Sequence, residues 1–183
     1  KQIYAPREID GLFFLETDPK GKKLIQYQKK IVSTQRCPWR KKVLAGEVDD
    51  DNAWAVGGIE GHAGLFGNAA SIHKLCNEIL NALQNKPARV LRSDIIINFV
   101  SRKKQHEMVA GFDTPSKLNS SSGKYFSKSS IGHLGFTGTS FWVDPETGII
   151  IIFLTNRVHP LRLNEGLKKF RPQIHDLIFT ELI

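Results

Sequence analysis

The sequence lacks any apolar run that approaches the ~20 residues needed to cross a bilayer. Its longest such run, Ile149 to Leu154, stops at Thr155-Asn156-Arg157, so no membrane span is expected in this segment. Cysteine is scarce. Cys37 and Cys76 could pair once at most, and neither has a metal-ligand spacing. Cys76 falls on the apolar face of a predicted helix and reads as a small buried hydrophobe, whereas Cys37 precedes Pro38 in a basic loop. No helix-turn-helix, zinc-finger or RNP-type pattern is present, and neither a repeat nor a linker divides the chain. The triplet Asp49-Asp50-Asp51 lacks EF-hand spacing and a nearby histidine pair. It is expected to be a solvated acidic turn, and no metal or other cofactor is expected.

What is there suits one globular domain with a sizeable core: 183 residues, 40% hydrophobic and 24% charged. Lys and Arg number 26 against 18 acids, giving a net charge of +8 that would suit an anionic partner. The excess sits early, in Lys20, Lys22, Lys23, Lys29, Lys30, Arg36, Arg40, Lys41 and Lys42, with Tyr27 and Trp39 interleaved. Without a recognised binding module this predicts a solvated, lysine-rich face, and nucleic acid is not an expected partner.

The chain is organised around Ile131-Gly132-His133-Leu134-Gly135-Phe136-Thr137-Gly138-Thr139-Ser140 through Asp144-Pro145, followed by the β-branched run from Gly148 to Asn156. These stretches predict a hairpin whose second strand is buried on both faces. The glycines of the first strand suggest close approach by a ligand or by another backbone. Asp144 reads as a turn residue.

Upstream, Asp18-Pro19-Lys20-Gly21 predicts a turn and Ile31-Val32 a short strand. With Asn68 as N-cap, Ile72, Leu75, Cys76, Ile79, Leu80 and Leu83 keep helical rhythm until Asn85-Lys86-Pro87. A second helix opens at Ser93 with Ile95, Ile96, Phe99 and Val100 as its face, and Met108 to Phe112 predicts a strand. The chain closes on a helix whose apolar stripe is Leu163, Leu167, Phe170, Ile174, Leu177, Ile178 and Leu182, with Pro172 marking a kink or a new start near Arg171. Helices grouped rather than alternating with strands indicate an α+β fold. About three strands make a poor sheet, so further strands are expected upstream of Lys1.

Gly46-Glu47-Val48-Asp49-Asp50-Asp51-Asn52-Ala53-Trp54-Ala55-Val56-Gly57-Gly58, Gly61-His62-Ala63-Gly64-Leu65-Phe66 and the Gly132 to Arg157 stretch together resemble the serine β-lactamase and penicillin-binding-protein-like hydrolases, more narrowly the class C β-lactamase-related group. Gly111-Phe112-Asp113-Thr114-Pro115 and Arg171-Pro172-Gln173-Ile174-His175-Asp176 fit the same resemblance. It implies a β-lactamase/transpeptidase-like fold, an antiparallel sheet flanked by helices plus a helical region. This chain would be the C-terminal part of one such domain, with 1–104 the late helical region and 105–183 the sheet strands and C-terminal helix. It also implies acyl-enzyme chemistry on an ester, amide or peptide-like substrate, a peptidoglycan-like one included, and a place in the cell envelope or periplasm.

In that family a Ser-x-x-Lys serine attacks a carbonyl, and a Lys/His-x-Gly motif on a strand forms the opposite wall. The wall is matched by His133-Leu134-Gly135. His133 would offer a ring nitrogen, Gly135 would leave space for substrate, and the Phe136 N–H would donate to the oxyanion. Leu134 departs from the usual Thr or Ser, which weakens the likeness to β-lactam-active members. Because of that departure the alternative is a non-catalytic β-lactamase-like binding module.

The nucleophile segment is expected upstream of Lys1, as the missing N-terminal segment of the same protein. Ser71-Ile72-His73-Lys74, Ser101-Arg102-Lys103-Lys104 and Ser121-Ser122-Gly123-Lys124 satisfy Ser-x-x-Lys, as chance allows in a chain rich in both residues. No catalytic residue is therefore expected within the chain. His62, between two glycines, is a possible pocket residue or a hydrogen-bonding partner of a tight turn. His106, His159 and His175 read as surface or helix-end residues.

Overall fold

The computed structural model describes residues 3–15, 31–101 and 108–182. The basic positions Lys20, Lys22, Lys23, Lys29 and Lys30, with Tyr27, His106 and the turn at 18–21, lie outside the described residues. After a 3-10 turn at Ala5–Arg7 come β1 (Phe13–Phe14), β2 (Arg36–Cys37), β3 (Lys42–Val43), α1 (Asp51–Ala55), β4 (Leu65–Phe66), α2 (Ala69–Leu83) and α3 (Ser93–Val100). The rest is β5 (Ile131–Leu134), β6 (Ser140–Val143), β7 (Ile150–Phe153) and α4 (Gly166–Leu182). Two short antiparallel ribbons, β1 with β4 and β2 with β3, accompany the three-stranded antiparallel meander β5-β6-β7.

The stretch expected to be one strand of a hairpin is itself a hairpin. The glycines between Leu134 and Ser140 break it, so that Ile131 faces Val143 and Leu134 faces Ser140, and β7 then pairs with β6 from Ser140↔Phe153 to Val143↔Ile150. Residues 108–112 form no strand. A lone bridge joins Val109 to Phe112, and the next residue, Asp113, bridges Gly132 on the outer edge of β5. Ile31-Val32 is likewise irregular.

The period-2 alternation of β6 divides the core. On one face Ile131 and Val143 pack with Cys76, Ile79 and Leu80 of α2, and on the other Trp142 and Ile151 pack with Phe126 and Phe179. α2 forms as its sequence predicts. Asn68 Oδ1 accepts the Ser71 N–H at 2.9 Å, satisfying a donor that the first turn leaves open. Cys76 is 1% exposed, and burial pushes its thiol pKa up to about 12. Glu78, equally buried, accepts the Arg89 and Val90 N–H groups at 3.0 and 2.9 Å and folds the following loop back on the helix.

α4 departs from expectation. It is one helix through Pro172, but Leu163 lies outside it and Phe170, Leu177 and Leu182 are exposed. Its buried line is Arg171, His175 and Phe179, at i, i+4 and i+8. His175, expected at the surface or at a helix end, is inside α4 and fully buried between the rings of Phe126 and Phe153. Burial lowers its pKa, opposed by the Ser122 backbone contact at 3.2 Å and reinforced by Arg171.

Candidate active site

Between β5 and β6 the chain turns through Gly135-Phe136-Thr137-Gly138. The Gly138 N–H donates to Gly135 O at 3.0 Å and the Gly135 N–H to Thr139 O at 2.8 Å. In this loop positive φ falls only on Gly138, at +119°, so Phe136 and Thr137 occupy the centre of a turn of the type I class. The first central residue of such a turn has no use for its own N–H. Among the described residues the Phe136 N–H makes no hydrogen bond.

The turn is held from three directions. Arg157 Nε donates to Phe136 O at 2.8 Å and the Arg157 N–H to Thr137 O at 2.9 Å. Thr155 Oγ1 donates to Gly138 O at 2.6 Å, and Arg171, buried in α4, donates to the same oxygen at 3.3 Å. Each carbonyl of the turn thus has a partner while, among the described residues, the Phe136 and Thr137 amides are left over, and a free, fixed amide is what an anionic oxygen needs.

His133 is exposed, and its Nδ1 lies 3.0 Å from Leu134 O. It shares its face of β5 with Ile131, toward α2 but past the packed core. Leu134 is half-buried opposite Ser140. The space expected over Gly135 is taken, since a Cβ there would lie 2.1 Å from Thr139 Oγ1. Gly132 is likewise required by packing, as its Cβ would meet Phe141 O at 2.4 Å and the Trp142 ring at 2.5 Å. The glycines of this stretch are explained by neighbouring chain, so they do not by themselves mark a ligand wall.

The Phe136 ring is exposed and lies under two cations, Arg157 at 4.6 Å and Arg162 at 5.2 Å from its centroid. Arg162 in turn grips the acidic triplet, donating to Asp49 Oδ1 at 2.9 Å and Asp51 Oδ2 at 3.1 Å. Arg40 donates to Asp51 Oδ1 at 2.8 Å from between Trp39 and Trp54. The expected solvated acidic turn is therefore an arginine-bound node. Asp49 is buried, Asp50 caps α1 through the Ala53 N–H at 2.8 Å, and Arg40, assigned above to a solvated face, has a side chain only 2% exposed. The sequence shows no signal for this node, because Arg162 lies 113 positions from Asp49 and even Arg40 lies 11 from Asp51.

His62 is exposed, with Nε2 3.3 Å from Asp50 Oδ1. It therefore meets a carboxylate rather than the turn backbone. No hydrogen bond, ion pair or ring contact joins it to His133 among the described residues. The Ser-x-x-Lys matches are not assembled either. Lys74 Nζ donates to Glu8 O at 2.7 Å, Ser71 is a buried residue of the first turn of α2, and Lys103 and Lys104 lie outside the described residues. Ser121 lies in a loop whose Lys124 N–H is tied to Asp176 Oδ1 at 2.6 Å. Cys37, expected in a loop, is buried in β2; both cysteines are free thiols. Among the described residues no cluster of His, Cys, Asp and Glu could hold a metal ion, and no helix is long and apolar enough to cross a membrane.

Comparison with known proteins places this geometry in context. The family model Beta-lactamase matches residues 27–174. An Escherichia coli protein named "Putative D-alanyl-D-alanine carboxypeptidase" is 30% identical over 127 residues, which is 66% of this chain and 29% of the relative. A Salmonella agona protein of the same name is 31% identical over the same shares. The chain thus spans less than a third of the length of these curated relatives. A crystal structure of a beta-lactamase from Mycobacterium bovis superposes with a TM-score of 0.53 at 19% identity, covering 65% of this chain and 46% of that one.

Proposed function

The chain belongs to the beta-lactamase family, and from that premise we propose that it supplies one wall of a serine hydrolase site that works through an acyl-enzyme. Its substrate is an ester, amide or peptide-like molecule. A peptidoglycan-like peptide is the candidate that the names of the relatives suggest. The nucleophilic serine and its proton-transfer partner lie on a segment preceding Lys1. This fits the share of the relatives that the chain covers and the scattered state of its own Ser-x-x-Lys matches.

The observation that carries this proposal is the unbonded Phe136 N–H, fixed by a turn whose carbonyls are all engaged. Attack of a serine oxygen on the substrate carbonyl, its proton passing to the proton-transfer partner that later gives it to the leaving group, forms a C–O bond and moves an electron pair onto the carbonyl oxygen. The Phe136 amide donates to that oxygen without having to reorganise. Collapse of the intermediate expels the protonated leaving group, and water then hydrolyses the acyl-enzyme. His133, exposed on the same rim, borders the substrate and offers its ring for hydrogen bonding.

A clean test exploits the turn. Proline is favoured at the first central position of a type I turn, so Phe136→Pro removes the N–H while keeping the fold, and Phe136→Ala removes only the ring. Loss of one oxyanion donor costs roughly 10²–10³ in kcat. Phe136→Pro is expected to show that loss on an activated ester and Phe136→Ala is not. Equal activity of the two variants would remove the amide from the mechanism.

Leu134 favours a second reading, a non-catalytic binding module of the same fold, because an apolar residue stands where a hydroxyl would help hold a substrate carboxylate. Absence of turnover, with retained affinity for peptide-like ligands, would support it.

A further inference from the structure

Beside the Phe136 turn the structure contains a depression that the hydrolase chemistry does not use. The Arg36 N–H donates to Pro160 O at 2.8 Å, and His159 Nδ1 lies 2.7 Å from Thr34 O. These contacts hold the segment around Cys37 against the one around Leu161. Between them is an open-sided cavity of about 190 Å³, bounded by Cys37, Pro38 and Trp39 on one side and Leu161, Arg162 and Leu163 on the other. Trp39, Leu161 and Leu163 are all at least half exposed. Arg162 connects the cavity to the site, since it lines this wall and also lies 5.2 Å from the Phe136 ring.

Two of the polar side chains around this cavity are turned toward carboxylates, while the exposed Arg36 lines its edge. Trp39 Nε1 donates to Asp51 Oδ1 at 3.3 Å, so the indole presents carbon. The Arg162 guanidinium is shared between Asp49 and Asp51, which leaves it little charge to offer a carboxylate. The surface between Trp39, Leu161 and Leu163 is carbon, so an apolar group entering here would cover exposed indole and leucine surface. A dry cavity of about 150 Å³ is enough to take a benzene ring.

We infer that this cavity is a specificity subsite that receives a single aromatic ring, or a branched aliphatic group of similar size, carried on the acyl part of the substrate. Its assignment to a substrate rests on the hydrolase proposal above. Its capacity to bind a ring does not.

The experiment uses the full protein with ¹⁵N-labelled indoles. The three tryptophans of this chain, Trp39, Trp54 and Trp142, are assigned by single Trp→Phe variants. Titration with phenylacetamide should shift the Trp39 indole signal saturably and leave buried Trp142 unmoved, while acetamide should shift neither. Leu161→Asp and Leu163→Asp, both at exposed positions, should abolish the shift without lowering the melting temperature. In parallel, p-nitrophenyl phenylacetate should be hydrolysed with a kcat/KM at least about tenfold above that of the acetate, as a hydrophobic pocket allows. Leu161→Asp should bring that ratio near one.

No saturable shift at Trp39, including the case in which the protein's own upstream residues already cover it, overturns the subsite. So does a shift that survives both aspartate variants. Hydrolysis of both esters at equal rates without a Trp39 shift keeps the hydrolase and removes the subsite. A Trp39 shift with neither ester hydrolysed overturns the assignment to a substrate and counts against the hydrolase proposal.

Discussion

Arg162 and Asp49 meet at 2.9 Å across 113 positions of sequence, and the Asp49 carboxylate is almost wholly withdrawn from water, with 3% of its side chain exposed. The pair fastens the Leu161–Leu163 loop to the start of α1. Removing one partner of a buried pair costs ~3–5 kcal/mol, but a third of the Arg162 side chain is exposed, so water makes up part of the loss. Arg162→Ala is expected to lower stability by about 2–3 kcal/mol, read from the urea midpoint.

The same variant should change the acid response. Burial pushes the Asp51 carboxyl up, but the Arg162 hydrogen bond and charge, the Arg40 charge and the Trp39 N–H outweigh it and hold the group below its ordinary value. A depressed carboxyl stabilises the fold above its unfolded pKa, and that stability is lost as pH falls through the folded one. Arg162→Ala should therefore flatten the fall in stability below about pH 4. An unchanged acid profile would show that Asp51 draws nothing from Arg162.

Asp144 provides a second acid-sensitive point. It is fully buried, and burial pushes its pKa up. The hydrogen bonds from Ser127 Oγ at 2.6 Å, the Ser127 N–H at 3.0 Å and the Glu146 N–H at 2.9 Å, with one from Thr147, prevail and hold it low. Its contribution is present above about pH 4 and disappears as the carboxylate takes up its proton. Asp144→Asn should cost about 2 kcal/mol at neutral pH and less in acid. Thermal melts of the two proteins between neutral pH and pH 2 should converge.

The packing explanation of the glycines makes a different prediction. At Gly132 an added Cβ meets backbone and indole, which cannot give way, so Gly132→Ala should cost about 1–3 kcal/mol. At Gly135 the obstacle is the Thr139 hydroxyl. Gly135→Ala should be destabilising alone and substantially rescued by Thr139→Ala, a coupling that a double-mutant cycle measures.

How much of this was legible in the sequence depended on whether the partners were local. The Asn68 cap and the Ile72 to Leu83 face were, because helical spacing and a capping side chain act within a few residues. The motif His133-Leu134-Gly135-Phe136 was also visible, and of the two reasons open for its glycines, a ligand or neighbouring chain, the structure supplies the second, since the atoms that exclude a Cβ belong to Thr139, Phe141 and Trp142 across the hairpin. His175 reads as a surface or helix-end residue in the sequence because its neighbours, Phe126 and Phe153, come from distant positions. The apolar stripe of α4 failed for a related reason. The face turned to the sheet carries Arg171, whose guanidinium reaches Gly138 O, and hydrophobic periodicity does not record an arginine buried to hold a turn.

The most direct measurement is active-site labelling of the full-length protein, with whatever residues its gene encodes before Lys1, using a fluorescent fluorophosphonate and a fluorescent penicillin, followed by mass spectrometry of the labelled peptide. The expected result is one modified serine preceding Lys1, with labelling slowed by Phe136→Pro and retained in Phe136→Ala. A modified serine at Ser71, Ser101 or Ser121, or labelling indifferent to the Phe136 amide, would contradict the division of the site between this wall and an upstream nucleophile.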